Sequence, residues 1–231
     1  MNNSDIAVII PAYNEQKNLP VLLKDIESHL PHAHIIIVDD SPVPTILKES
    51  SNVVLIARDS KQGRGSAVLC GLAEGLKHKE IHYFFEMDAD LAHSPAEFHR
   101  FLEKRHDADM VIGSRYIVGS KILTWPKYRL IQSKIINLFL RYLLGLHIFD
   151  FTNGFRLYSR PAADFLVHTP MKEKGFIALS EIAYKIQKRG FKISEVPVSF
   201  KDREFGRSNA NVRELLVSLF GVFRIRFCAF I

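Results

Sequence analysis

Residues 83–93 read YFFEMDADLAH. An apolar run of strand length ends abruptly in two aspartates one residue apart. Such a pair at a strand end can aim two oxygens at one Mg²⁺ or Mn²⁺, with substrate phosphates completing the shell. The same pattern recurs in the first half of the chain. Ile6–Ile10 runs into Pro11-Ala12-Tyr13-Asn14-Glu15, and His34–Val38 runs into Asp39-Asp40. With Val53–Ala57, Tyr83–Met87 and Met110–Ile112 these make five strand candidates. Helix candidates lie between them near Lys17–His29, Gly65–Lys77 and Pro95–Arg105. Short β-rich runs alternating with amphipathic segments predict an α/β chain of right-handed βαβ units around a mostly parallel sheet. In such sheets ligands bind beyond the carboxyl ends of the strands. Asp and Asn favour turns after strands in any case, so one such end says little. Three together point to a site.

Composition narrows the class. The 231 residues are 47% hydrophobic and 24% charged, which excludes a disordered or collagen-like chain. Two cysteines, Cys70 and Cys228, cannot build a disulfide framework or a multi-cysteine zinc site, so a reducing compartment is expected. The first ten residues, MNNSDIAVII, lack the basic segment and long apolar core of a signal peptide. No uncharged apolar run nears the roughly 20 residues that span a bilayer. The expectation is a cytoplasmic chain that does not cross a membrane. The formal charge of +6 hides a division. Residues 1–115 hold 12 basic and 17 acidic side chains, and residues 116–231 hold 19 and 8. No repeat or linker breaks the chain, which reads as a single domain over 1–231, with an acidic half to about 115 and a basic half from about 116.

Other motifs are less specific. Gly63-Arg64-Gly65-Ser66 opens a helix, yet it lacks the ending of a Walker loop and follows the wrong strand for a dinucleotide fingerprint. Arg115, in Gly113-Ser114-Arg115-Tyr116, follows the fifth strand candidate, and Arg203 sits in a loop before the last helix. Arginine binds phosphate oxygens bidentately, although either residue alone could be solvated surface. From Arg129 to Gly145 the chain reads RLIQSKIINLFLRYLLG. Arg129, Ser133, Asn137 and Arg141 recur every four residues and predict one polar stripe on an otherwise apolar helix. Such a helix is either buried in a core or laid in a membrane interface with its stripe toward the protein. Val212–Phe227 is a second apolar-rich helix candidate, ending in Arg224 and Arg226. Two such segments in the basic half favour the membrane surface. The final Cys228-Ala229-Phe230-Ile231 fits a prenylation box only loosely.

In series these motifs resemble a family. IPAYNE at Ile10–Glu15, VDD at Val38–Asp40, DAD at Asp88–Asp90 and GSRY at Gly113–Tyr116 resemble the family 2 glycosyltransferases of GT-A fold. That is a Rossmann-like nucleotide-sugar sheet with flanking helices and, here, C-terminal amphipathic helices. Trp125-Pro126-x-x-Arg129-x-x-x-Ser133, Asp150-x-Thr152-x-Gly154-Phe155-Arg156 and Phe200-x-x-Arg203-x-x-Gly206-x-Ser208 are similar to the dolichyl-phosphate (polyprenyl-phosphate) mannosyltransferases. The resemblance implies transfer of mannose from GDP-mannose to a polyprenyl phosphate at the cytoplasmic face of a membrane. Another nucleotide sugar, such as UDP-glucose, or another acceptor is the alternative. A membrane-anchoring partner subunit is compatible with it. It implies a donor nucleotide at Pro11, Tyr13, Glu15, Val38 and Asp40, and a metal and diphosphate site at Asp88, Ala89 and Asp90, with Asp88 and Asp90 as ligands of Mg²⁺ or Mn²⁺. Arg115 and Arg203 would contact phosphates and, with Asp90, form the catalytic set, while Arg129 and Ser133 would hold the acceptor phosphate.

Three departures stand out. Where the family usually has DADLQH, this chain has Ala92, leaving a water or His93 to fill that position; Asn209 stands where a lysine is common; and the turn Ser41-Pro42-Val43-Pro44 is short. The chemistry is coherent without a general base, because a phosphate monoester is largely ionised at pH 7. One displacement opposite the leaving group would invert the anomeric carbon. A nucleotidyltransferase would need a glycine-rich, Arg-containing loop after the first strand, where this chain has Pro-Ala-Tyr-Asn-Glu. A nucleic-acid binder would need a recognisable motif in the basic half, and none is present. A catalytically silent membrane adaptor is the remaining competitor, since Ala92 weakens the metal site.

Overall fold

A computed structural model describes residues 3–43, 45, 51–173, 177–201 and 221–227. Arg203 and its loop, residues 212–220 of the last helix candidate and the Cys228 terminus lie outside the described residues.

In chain order the elements are β1 (Ile6–Ala12), α1 (Leu19–His29), β2 (His34–Asp39), β3 (Val53–Ala57), α2 (Arg64–Leu76), β4 (Tyr83–Glu86), a 3-10 turn (Pro95–Glu97), α3 (Phe98–Leu102), β5 (Met110–Ser114), β6 (Lys121–Ile122), α4 (Lys127–Leu144), β7 (Arg156–Ser159), α5 (Arg160–Val167), α6 (Ala178–Lys188), β8 (Ile193–Pro197) and β9 (Ser199–Phe200). Residues 221–227 are also helical. Seven strands form one sheet in the order β3-β2-β1-β4-β7-β5-β8, and β6 pairs with β9. Only β7 runs against its neighbours, pairing antiparallel with both β4 and β5. The chain winds outward from β1 to β3, then returns past β1 to β4. The strand order therefore reverses between β1 and β4, where open α/β sheets place their ligands.

Alternation along β1 builds the layers. Ala7 and Ile9 face a cluster that includes Val68 and Leu72 of α2 and Ala162 and Leu166 of α5. Ile6, Val8 and Ile10 face the opposite cluster, with Leu22 and Ile26 of α1 and Phe98 and Phe101 of α3. Strands buried on both faces read as continuous apolar runs, which is why β1, β2 and β4 were visible as sequence. Gly71 lets α2 approach β1 closely, since a Cβ there would fall 2.3 Å from Ile9 Cγ2. The helix expected over Pro95–Arg105 is shorter than its apolar pattern. Aromatic packing anchors it, with the tilted rings of Phe98 and Phe85 4.4 Å apart and those of Phe101 and Phe155 also 4.4 Å apart. Among the described residues no helix is long and apolar enough to cross a membrane.

Candidate active site

Two non-glycine residues at the carboxyl edge adopt left-handed backbone: Asn14 after β1 (φ 60°) and Leu91 after β4 (φ 63°). Asn tolerates this conformation, whereas for Leu it costs free energy. Such outliers gather where a loop is shaped for function. After β1, Pro11 pairs in register with buried Val38, and the Asn14 amide donates to Ser41 Oγ at 2.7 Å. Tyr13 is partly exposed under the Lys61 ammonium, 4.0 Å from its ring centroid. Glu15 accepts from Asn18 Nδ2.

The two aspartates after β2 are already engaged. Asp39 accepts from the Ser41 and Thr45 amides and from the Ser41 hydroxyl. Burial alone would raise its pKa, but these hydrogen bonds hold it below the ordinary carboxylate value. Asp40 takes both arms of the Arg58 guanidinium and the amides of Gln62 and Gly63. Its carboxylate fastens the loop leading into α2, so any part it plays at a nucleotide is played from within that pair.

At the end of β4, Asp88 is about one-third exposed, and Asp90 and Ala89 are buried. Asp88 Oδ1 accepts from Arg64 Nε at 2.8 Å and Nη2 at 2.7 Å, while Nη1 of the same arginine meets Glu86. Burial would lower the Arg64 pKa, but Asp88 and Glu86 raise it. Asp90 Oδ1 accepts the Ala92 amide at 3.1 Å, which shapes the left-handed turn at Leu91. His93 does not replace the missing ligand. Its Nδ1 accepts from the Asp88 amide at 3.1 Å, its Nε2 meets Asn153 Oδ1 at 2.8 Å, and its ring stacks on Phe155. The ring therefore positions the Asp88 backbone and offers neither nitrogen to a cation. No cluster of three metal-ligating side chains occurs among the described residues. Two carboxylates at a strand end, one of them partly exposed, nevertheless fit a hard divalent cation whose shell is completed by substrate phosphates and water.

Loop 150–154 joins this edge to α4. Asp150, fully buried, takes the Arg115 guanidinium bidentately at 2.7 and 2.8 Å, plus the amides of Arg115, Thr152 and Asn153. Burial would raise the Asp150 pKa, but the Arg115 guanidinium and these amides hold it below the usual range. The Arg115 guanidinium is thus ion-paired with Asp150, and any contact with a phosphate would be made from within that pair. The Arg115 guanidinium also donates to Thr152 Oγ1 and stacks against Trp125 and Phe200, at 5.2 and 5.3 Å. Arg156, fully buried, donates to the carbonyls of Phe151, Asn153 and Leu179 and fixes the loop from below.

The polar stripe of α4 lies against this loop. Arg129 stacks on Trp125 at 4.2 Å, and Ser133 Oγ accepts from Tyr116 Oη at 2.5 Å. Buried Asn137 donates to Thr152 Oγ1 and accepts the Phe151 amide, while Arg141 covers Phe149. Tyr128, Ile131, Ile135, Leu138 and Tyr142 occupy the other side and are 56–88% exposed. The helix is thus buried on one side, where Leu140 and Leu144 enter the core, and exposed on the other. Sequence reasoning missed Arg58, Arg64 and Asn153. Only Arg64, in its glycine-flanked position beyond a strand, carried a signal.

A seven-stranded, mostly parallel sheet with carboxylates at its reversal point is the architecture of the GT-A glycosyltransferases. The chain belongs to the family described as "Glycosyl transferase family 2", whose pattern matches residues 7–166. It is similar to the polyprenol monophosphomannose synthase of Mycolicibacterium smegmatis, 37% identical over 221 residues that cover 90% of this chain and 83% of that protein. It is also similar to the undecaprenyl-phosphate mannosyltransferase of Micrococcus luteus, 34% identical over 210 residues covering 88% and 86%. Among solved structures, it shares its fold with glucosyl-3-phosphoglycerate synthase of Mycobacterium tuberculosis bound to Mn²⁺, uridine diphosphate and glucosyl-3-phosphoglycerate. That match has a TM-score of 0.62 and 17% identity, and covers 95% of this chain and 77% of the other.

Proposed function

We propose that this glycosyltransferase moves mannose from GDP-mannose to the phosphate of a polyprenol, with inversion, at the cytoplasmic surface of a membrane. The sugar and acceptor class rest on the two relatives, each named for mannose and a polyprenyl phosphate and each matched over most of both chains. The structural observation that carries the acceptor half is α4. Its polar stripe is held against the loop that joins it to the aspartates, while five large apolar side chains are left exposed on its other side. An acceptor that is a phosphate on a long hydrocarbon needs both.

In this reading Pro11, Tyr13, Glu15 and Val38 border the nucleotide, with Asp40 holding the adjoining loop. Asp88 and Asp90 would hold a divalent cation, which when bound supplies positive charge to the leaving diphosphate. The acceptor phosphate is ionised at neutral pH and needs little or no base. Repulsion between two anions is the harder problem, which Arg129 and Arg203 would offset, with the Arg115–Asp150 pair fixing loop 150–154. Arg129 and Ser133 orient the acceptor phosphate, with the Ser133 hydroxyl held by Tyr116. The exposed apolar face of α4 takes up lipid, and neighbouring basic residues add on the order of 1 kcal/mol each on an anionic surface. A membrane-anchoring partner subunit is compatible with this orientation.

The test is incubation with radiolabelled nucleotide sugars, including GDP-mannose and UDP-glucose, polyprenyl phosphate and Mg²⁺ or Mn²⁺, followed by extraction of the lipid phase. GDP-mannose should label the lipid. Folded protein that labels lipid with no donor would contradict the proposal, and would favour a silent adaptor.

A further inference from the structure

We propose that Arg64 is a built-in counter-ion that competes with the divalent cation for Asp88 and so limits how tightly the protein holds metal before the nucleotide arrives. This rests on the reading of Asp88 and Asp90 as the metal-holding pair.

Arg64 begins α2 and spans two carboxylates, with Nε and Nη2 on Asp88 Oδ1 and Nη1 on Glu86 Oε1. Glu86 is fully buried, and its other oxygen accepts from Tyr158 Oη at 2.5 Å. Withdrawing the guanidinium would leave that carboxylate buried without its cation, a costly state. A Cβ at Gly154 would fall 2.0 Å from Arg64 Nη2, so a larger residue there would displace the guanidinium from this position. The Asp88 side chain is 33% exposed against 0% for Glu86, so Asp88 is the half of the trio a cation can reach. A metal ion arriving there meets a fixed positive charge already bonded to its ligand. Ala92 contributes no side-chain oxygen to offset that repulsion. A nucleotide diphosphate brings negative charge, which favours the cation and offsets Arg64. Metal and nucleotide should therefore bind with strong mutual reinforcement.

Glu86 gives the inference a prediction of opposite sign. Glu86→Gln removes the anion that shares Arg64, leaving the whole guanidinium charge to Asp88, so Mn²⁺ binding without nucleotide should weaken several-fold. Adding Arg64→Met to Glu86→Gln removes the competitor together with the buried anion that shares it. Mn²⁺ should then bind roughly tenfold tighter than to Glu86→Gln alone, as expected for deleting one nearby positive charge. The experiment titrates Mn²⁺ into the full chain without nucleotide and follows the electron paramagnetic resonance of the free ion, with folding checked by circular dichroism. Equal affinity in the single and double variants would overturn the role of Arg64. Asp88→Asn and Asp90→Ala separate the underlying reading. If both bind Mn²⁺ like the unsubstituted protein, the metal site lies elsewhere and the inference falls with it.

Discussion

Two arginine–carboxylate pairs sit on either side of loop 150–154 and use the same chemistry to different ends. In Arg115–Asp150 both side chains are almost wholly buried, at 6% and 0% exposure. In Arg64–Asp88 the figures are 17% and 33%. Asp150 is saturated by a bidentate guanidinium and three amides, so it can accept nothing further without breaking the loop. Asp88 meets the Arg64 guanidinium through Oδ1, and its side chain is one-third exposed. The closed pair holds its loop, whereas the open pair leaves a carboxylate within reach of solvent. Burial and partner thus distinguish two arginines that look alike in sequence.

The largest separation should appear in catalysis. Asp90→Ala should reduce transfer to polyprenyl phosphate by at least ~10²-fold, the scale of losing electrostatic stabilisation of a leaving group, while melting near the unsubstituted protein. A variant that keeps most activity would remove Asp90 from the reaction. The next separation is in stability. Arg115→Ala leaves Asp150 charged and buried, and should cost about 3–5 kcal/mol in urea unfolding. Asp88→Asn breaks the open pair and should cost only about 1 kcal/mol, because water can replace its partner. Equal costs would erase the distinction between the two pairs.

Acid should act on the closed pair. Asp150 and Asp39 both have folded-state pKa values below the ordinary carboxylate value of 3.8. A depressed folded pKa contributes stability that is present above the unfolded value and lost as pH falls through the folded one. Unfolding free energy should therefore fall from near pH 4 downward as these two groups protonate. Glu195 runs the other way. It is raised, first by burial, while it accepts the Phe149 and Asp150 amides. Its contribution is full below its ordinary value of 4.5 and declines as pH rises through the folded pKa. Glu195→Gln should flatten that upper limb, and an unchanged pH profile would contradict the assignment.

The smallest effect on stability should be on the outer face of α4. Ile135→Glu and Leu138→Glu alter side chains that are 61% and 66% exposed, so unfolding should change by no more than about 0.5 kcal/mol. Sedimentation with vesicles of anionic lipid should drop clearly. Unchanged vesicle binding would leave that face without its proposed partner.

What was legible in the sequence follows from burial. Strands β1, β2, β4 and β5 are covered on both faces and read as apolar runs. The edge strand β3 was found by its β-branched content, although it is only half-buried. β7 and β8 were not legible. RLYS begins with an arginine whose guanidinium is spent on carbonyls, and ISEVP carries Ser and Glu through the sheet. The four-residue recurrence of Arg129, Ser133, Asn137 and Arg141 located the inward stripe of α4, because each of those side chains has a partner on the protein. The motifs did not show the wiring of this edge. Arg58 lies 18 residues from Asp40 and Arg64 24 from Asp88, and ion pairs at such separations leave no periodic trace.

The division between a donor edge at the aspartates and an acceptor surface on α4 is most directly tested with Arg129→Ala. Nucleotide affinity, measured by calorimetry, should stay within about twofold, while the KM for polyprenyl phosphate rises by roughly tenfold, the scale of one lost charge-assisted contact. If nucleotide affinity falls by the same factor as acceptor use, α4 is not the acceptor surface.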